Sequence, residues 1–216
     1  EDVEICEGGS YTLPDGTVVS TGGTFVFNLT TVDGCDSVVT IHLELSPLPV
    51  AVVNFDVAGI CFDGGWQEAT VSPAGGVLSG TGITATHFDP ALAGPSGPYI
   101  IQYIYTSALG CADTAYTEIE VFPLPAVDLF APSIACIEAD PILLTGNPIG
   151  GVFTGEGVVD SFFMPSLAGT GAAAVTYSYT DGNGCAASSI VYIDVVQNMV
   201  DAGPDVTINI GDSALL

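Results

Sequence analysis

Val175-Thr176-Tyr177-Ser178-Tyr179-Thr180 alternates large apolar with small polar residues, and Asp181-Gly182-Asn183-Gly184-Cys185 then breaks the pattern. Alternation with period two is the signature of a half-buried β-strand. Val175, Tyr177 and Tyr179 therefore share the core face, and Thr176, Ser178 and Thr180 the solvent face. The Asp-Gly-Asn-Gly run tolerates positive φ, so the strand ends in a hairpin turn. The same frame precedes Gly110-Cys111, with Ile101, Tyr103 and Tyr105 inward, and Asp33-Gly34-Cys35, with Phe25, Phe27 and Leu29 inward. On the strand leaving the first hairpin, Val39, Ile41, Leu43 and Leu45 point in, while Thr40, His42 and Glu44 point out. No window of about 11–18 residues has the spacing of an amphipathic helix. The chain reads as all-β sandwiches.

Working outward, the hairpin belongs to a repeat. Gly75-Gly76-Val77-Leu78-Ser79-Gly80-Thr81-Gly82 matches Gly150-Gly151-Val152-Phe153-Thr154-Gly155-Glu156-Gly157, and Phe88-Asp89-Pro90-Ala91-Leu92-Ala93-Gly94 matches Phe163-Met164-Pro165-Ser166-Leu167-Ala168-Gly169. Each Gly-Cys has an upstream cysteine: Cys6, Cys61 and Cys136. Ser46-Pro47-Leu48-Pro49 and Phe122-Pro123-Leu124-Pro125 separate the repeats, and alternating prolines make short, semi-rigid spacers. The expected domains are a short β repeat at 1–46, sandwiches at 47–122 and 123–197, and the opening of a further β domain at 198–216. The absence of a signal peptide at Glu1-Asp2-Val3-Glu4 and of closing strands after Asp201-Ala202-Gly203-Pro204-Asp205 points to a segment of a longer chain. Strands of about 8 residues in three domains predict an extended rod of roughly 100 Å.

Composition narrows the function. The 216 residues include 25 acids, two histidines and no lysine or arginine. The acids are at ordinary abundance; drawing no base at all has a chance on the order of 10⁻¹². Without cations there is no neutralisation of nucleic-acid phosphates, no P-loop or Schiff-base lysine, no arginine finger and no basic membrane anchor. A Lys–Asn isopeptide cross-link is excluded as well. No apolar run approaches the roughly 18 residues of a membrane span. Six cysteines without a Cys-x-x-Cys suit an oxidising, extracellular compartment.

At Ile5-Cys6-x-Gly8-x-Ser10-Tyr11-Thr12-Leu13, Gly34-Cys35-Asp36-Ser37-Val38, the Gly-Gly-Val-Phe/Leu-x-Gly-x-Gly segments and Tyr-x-Tyr-Thr-x3-Gly-Cys, the sequence resembles the Ig-like and PKD-like tandem repeats of very large cell-surface adhesins or filament proteins of gliding, type IX-secreting bacteria. The resemblance covers nearly the whole chain and implies export, a cell-surface location and tandem Ig-like β-sandwich domains. It implies no ligand.

The cysteines pair most simply within repeats, as Cys6–Cys35, Cys61–Cys111 and Cys136–Cys185, each bridge contributing about 3–4 kcal/mol on a chain-entropy account. Six cysteines allow 15 pairings, and bridges between neighbouring repeats stay open. His42 and His87 lie in no catalytic frame, and no enzyme is visible. No cofactor is expected, although calcium is the metal whose hard oxygen ligands Asp181 and Asn183 would suit. The glycosylation candidates are Asn28, in Asn28-Leu29-Thr30, and Ser37, Thr114 and Ser213, in tripeptides like the Asp-Ser/Thr-aliphatic O-glycosylation motif of the bacterial group that the chain resembles. Trp66, beside Gly64-Gly65, is the one plausible sugar-binding platform. Outward Ile100, Ile104, Tyr116 and Phe122 are candidate contacts for self-association into a filament, where like-charged rods would need cation bridging, apolar contacts or high salt.

The expected role is a structural repeat segment, a stalk, of a large secreted adhesin or filament that projects a distal binding region. Its partners are neighbouring repeats of the same longer chain, with neither nucleic acid nor membrane insertion. A calcium- or carbohydrate-binding adhesion module and the non-catalytic stalk of a secreted enzyme are the alternatives. The missing bases then read as removal of every site for Lys/Arg-specific proteases, at the cost of the lysines that usually guard sheet edges.

Overall fold

The computed structural model describes residues 1–30, 34 and 36–197, and the chain divides into two compact units, Glu1–Pro123 and Leu124–Leu216. Almost every regular element among the described residues is a strand. Among the described residues no helix is long and apolar enough to cross a membrane.

The first unit begins with β1 (Asp2–Cys6), β2 (Tyr11–Thr12), β3 (Val18–Val19), β4 (Gly23–Thr30) and β5 (Asp36–Ser46). β4 and β5 form the hairpin read from the sequence, in the register Phe25↔Ile41 and Phe27↔Val39. β1 adds to the far side of β5 in parallel, Val3 opposite Leu43 and Cys6 opposite Ser46. Ile41, Leu43 and Leu13 are buried, but Leu29 and Leu45, expected in the core, are 42% and 37% exposed. Among the described residues of this repeat, the only partner layer is the two-residue pair β2–β3. It is too short to cover both ends of an eleven-residue strand.

The same unit continues through β6 (Val52–Asn54), β7 (Gly59–Cys61), β8 (Gln67–Glu68), β9 (Thr70–Ser72), β10 (Val77–Ser79), β11 (Ile83–Thr84), β12 (His87–Phe88), a single helical turn α1 (Pro90–Ala93), β13 (Tyr99–Thr106) and β14 (Ala112–Phe122). One sheet runs β10-β13-β14-β7; the pair β6-β9 and the triplet β11-β12-β8 make up the rest. This is an immunoglobulin-like sandwich. Phe88, Ile101, Ile119 and Val121 fill one half of the core, and Ala51, Val53 and Tyr103 the other. Burying each large side chain contributes about 1.5–3 kcal/mol. The Leu-Ala-Gly segment, which reads as a loop, is α1: Asp89 caps it by accepting a 3.0 Å hydrogen bond from the Ala91 N–H, and Pro90 starts it.

The second unit repeats this plan with β15 (Asp128–Phe130), β16 (Ile134–Cys136), β17 (Ile142–Leu143), β18 (Thr145–Asn147), β19 (Val152–Gly155), β20 (Val158–Val159), β21 (Phe162–Phe163), α2 (Pro165–Ala168), β22 (Gly171–Thr180) and β23 (Ala186–Val196). Its sheets are β16-β23-β22-β19, β17-β21-β20 and β15-β18. Val175 and Tyr177 are buried in a core with Phe163, Ile193 and Val195, while Thr180 is exposed. The face assignment made from alternation holds here.

Each of these two cores has a polar fastener that alternation does not reveal. The Tyr103 hydroxyl donates to the Pro73 carbonyl and accepts from the Gly76 N–H at 2.8 Å. Tyr177 does the same with Pro148 and with Gly151 at 2.8 Å. A Cβ on Gly151 would lie 2.4 Å from the Ser178 carbonyl oxygen and 2.6 Å from the tyrosine ring. The second glycine of each Gly-Gly pair therefore makes room for the ring that the loop clasps.

Candidate functional site

The feature with the clearest chemistry is the junction between the first two repeats. Each repeat has two distinct ends. At the hairpin end, Gly110 and Gly184 close turns in which Ser107 and Asp181 donate their N–H groups to the carbonyls of Cys111 and Cys185, at 2.8 and 2.9 Å. The cysteine then opens the long final strand, β14 or β23. At the exit end that strand stops. β7 and β16, parallel to it, put Cys61 opposite Phe122 and Cys136 opposite Val196.

These ends correct the expected pairing. Eleven residues of strand separate Cys111 from Phe122 and Cys185 from Val196, about 36 Å at 3.3 Å per residue. Disulfide-bonded Cα atoms lie about 4.4–6.8 Å apart. Neither Cys61–Cys111 nor Cys136–Cys185 can form inside its own sandwich. Cys6–Cys35 is displaced as well, because Cys6 bonds Cys111, with a Cα–Cα distance of 5.5 Å and a sequence separation of 105. The bridge thus joins the exit end of the first repeat to the hairpin end of the second. Cys61 and Cys185 are likewise in disulfides, and Cys35 lies outside the described residues. A closed loop of about 100 residues contributes roughly 4.7 kcal/mol on the chain-entropy account, which matters for a first repeat with so little core.

A hydrogen bond next to this junction anchors the start of the second repeat on its own hairpin strand. The Ala51 N–H, just after the Pro47-Leu48-Pro49 spacer, donates to Asp113 Oδ2 at 2.7 Å. This bond, followed by one from the Thr114 N–H, holds the Asp113 carboxyl below its ordinary value against a small opposing effect of desolvation.

The other candidates are dispersed. Asp181 Oδ1 accepts from the N–H groups of Asn183 and Cys185, both at 2.9 Å. Ser107 Oγ serves Cys111 in the same way at 3.2 Å. Asp181 is thus a turn cap, and among the described residues no group of three or more His, Cys, Asp or Glu side chains is placed to hold a metal ion. His42 Nδ1 lies 3.0 Å from Thr24 Oγ1 on an exposed face, in a shallow depression with Asp2, Glu4 and Glu44. Trp66 is 61% exposed and lies tilted against His87, at 4.8 Å between ring centroids. Asn28, Thr30 and Thr114 are exposed, Ser37 is half-buried, and Ser213 lies outside the described residues. Ile100, Ile104 and Tyr116 are exposed, with Ile100 and Tyr116 lining a groove beside Thr117 and Glu118. Phe122, expected to face outward, is half-buried: its ring covers Gly59, where a Cβ would lie 2.6 Å from it.

Neither a protein-family profile nor any curated protein sequence matches the chain. Among solved structures it is similar to three immunoglobulin domains of titin, a mutated variant, at 11% identity and a TM-score of 0.35, over 92% of this chain and 96% of that one. It is also similar to cadherin domains 1–4 of protocadherin Gamma B7, at 11% identity and a TM-score of 0.22, over 76% of this chain and 55% of that one. A third likeness is to mouse clustered PcdhgC3 EC1-3, at 14% identity and a TM-score of 0.23, over 86% of this chain and 78% of that one.

Proposed function

We propose that the chain is a structural repeat segment, a stalk, of a large secreted surface adhesin or extracellular filament that projects a distal binding region. The observation that carries this reading is the Cys6–Cys111 bond between the exit end of one repeat and the hairpin end of the next. It couples successive modules covalently, which a stalk needs and a solitary binding domain does not. Disulfides of this kind fit an oxidising, extracellular location. In this reading the partners are neighbouring repeats of the same longer chain, no cofactor is required, and the absence of Lys and Arg removes the sites of the proteases specific for them.

Small-angle X-ray scattering of the oxidised chain tests the stalk. A rod of roughly 100 Å has a radius of gyration near 30 Å, whereas a compact body of this length has about 17 Å. The compact value would remove the reading. A carbohydrate-binding module is the second reading, favoured by the exposed Trp66 ring on His87. Glycan-array binding that disappears in Trp66→Ala would establish it.

A further inference from the structure

Connectivity fixes the path that tension takes through the first unit. Pulled from Glu1 and from Pro123, the chain does not transmit force around all of its turns. Cys6 ends β1, Cys111 opens the segment that becomes β14, and the two are bonded. Force entering at Glu1 crosses β1, passes through the disulfide and leaves along β14. The segments β2–β5 and β6–β13, with most of both cores, lie inside the closed loop and off that path. Both parts of the path are already strands, at about 3.3 Å per residue against at most about 3.6 Å when fully drawn out, so pulling finds little chain to release. β1 and β14 also each lie in parallel against a strand of their own repeat, β5 and β7 respectively.

We propose that the Cys6–Cys111 bond is a tension bypass that fixes the maximum length of this segment and shields the two enclosed repeats from extension. The proposal deepens the stalk reading: a stalk that must hold a distal part at a set distance gains from modules that cannot pay out chain. The device is redox-set. A dithiol reductant transfers two electrons and two protons to the bond, leaving two cysteine thiols and the oxidised cyclic disulfide of the reductant. The loop of 105 residues then joins the extensible path.

Single-molecule force spectroscopy on the full chain tests this, with one handle at the amino terminus and the other on an azide-bearing residue replacing the exposed Leu124. With the bond intact, the handles separate by about 70 Å at most, the 5.5 Å across the bridge included. With dithiothreitol present, or in the Cys6→Ser/Cys111→Ser double variant, they reach about 440 Å, a gain of about 370 Å. Fully extended length does not depend on whether the chain was folded, so wild-type protein with and without reductant decides the matter even where the double variant fails to fold. A long release from the oxidised wild type, equal to that of the reduced chain, overturns the bypass. The stalk reading fails on a different result, a compact scattering dimension, so the two failures are distinguishable.

Discussion

Removing a single hydroxyl should loosen the second repeat measurably. In Tyr103→Phe the ring and its packing remain, but the Pro73 carbonyl loses its donor and the Gly76 N–H loses the acceptor that lay 2.8 Å away. Tyr103 is 1% exposed, so water replaces the hydroxyl poorly. Two intramolecular hydrogen bonds at about 1 kcal/mol each, plus the desolvation left on the orphaned backbone groups, give a loss of about 2–3 kcal/mol. The assay is built into the chain: Trp66 is the single tryptophan and belongs to this repeat, so its fluorescence during urea titration follows this sandwich. With a slope of about 1 kcal/mol per molar urea for a domain of this size, the midpoint should fall by roughly 2 M. Tyr105→Phe is the control, because its hydroxyl has no partner among the described residues. It should shift the midpoint by less than about 0.5 M. Equal shifts in the two variants would refute the claim that the hydroxyl fastens the loop.

Further predictions concern the turns, the loops and the junction. Gly151→Ala should destabilise the third repeat by about 1–3 kcal/mol through steric strain, whereas Gly182→Ala, with open space around its Cβ, should stay within about 0.5 kcal/mol; calorimetry separates them. Asp181→Asn should be nearly neutral because the capping oxygen is kept, and Asp181→Ala should cost about 1 kcal/mol, with no calcium-dependent shift of the melting midpoint in either chain. The Asp113 carboxyl is held below its ordinary value in the fold, so its contribution is complete above about pH 4 and is lost as pH falls from there through the lower folded value. Asp113→Asn should therefore flatten the acid limb of stability against pH below about 4, as read by Trp66 fluorescence; an unchanged acid limb would contradict the assignment.

Alternation in Val175–Thr180 and Ile101–Thr106 was sufficient to place the hairpins and the buried tyrosines, because the period of a strand is a local property. The cysteine partners were less legible. Their pairing depends on β7 running parallel to β14, and parallel pairing joins residues about 60 apart that share no local pattern. One signal was available: Cys61 lies about as many residues beyond the Pro47–Pro49 spacer as β14 is long. A chain that continues straight from the spacer through β6 and β7 therefore reaches the exit end, far from Gly110-Cys111. The Leu29 and Leu45 assignments failed for another reason. Alternation shows which face a side chain takes but not whether a second layer covers it, and β2–β3 is too short to do so. Phe122 turned inward because Gly59, opposite Glu120 in the register, leaves a gap for the ring.

The Cys6–Cys111 bond joins the first two repeats covalently, from exit end to hairpin end. A peptide map of the oxidised chain under non-reducing conditions tests it directly, using proteases that cut at Asp and Glu, since trypsin has no site. The expected product is a linked pair of peptides carrying Cys6 and Cys111. Recovery of Cys6 bonded to Cys35, or of Cys61 bonded to Cys111, would contradict it.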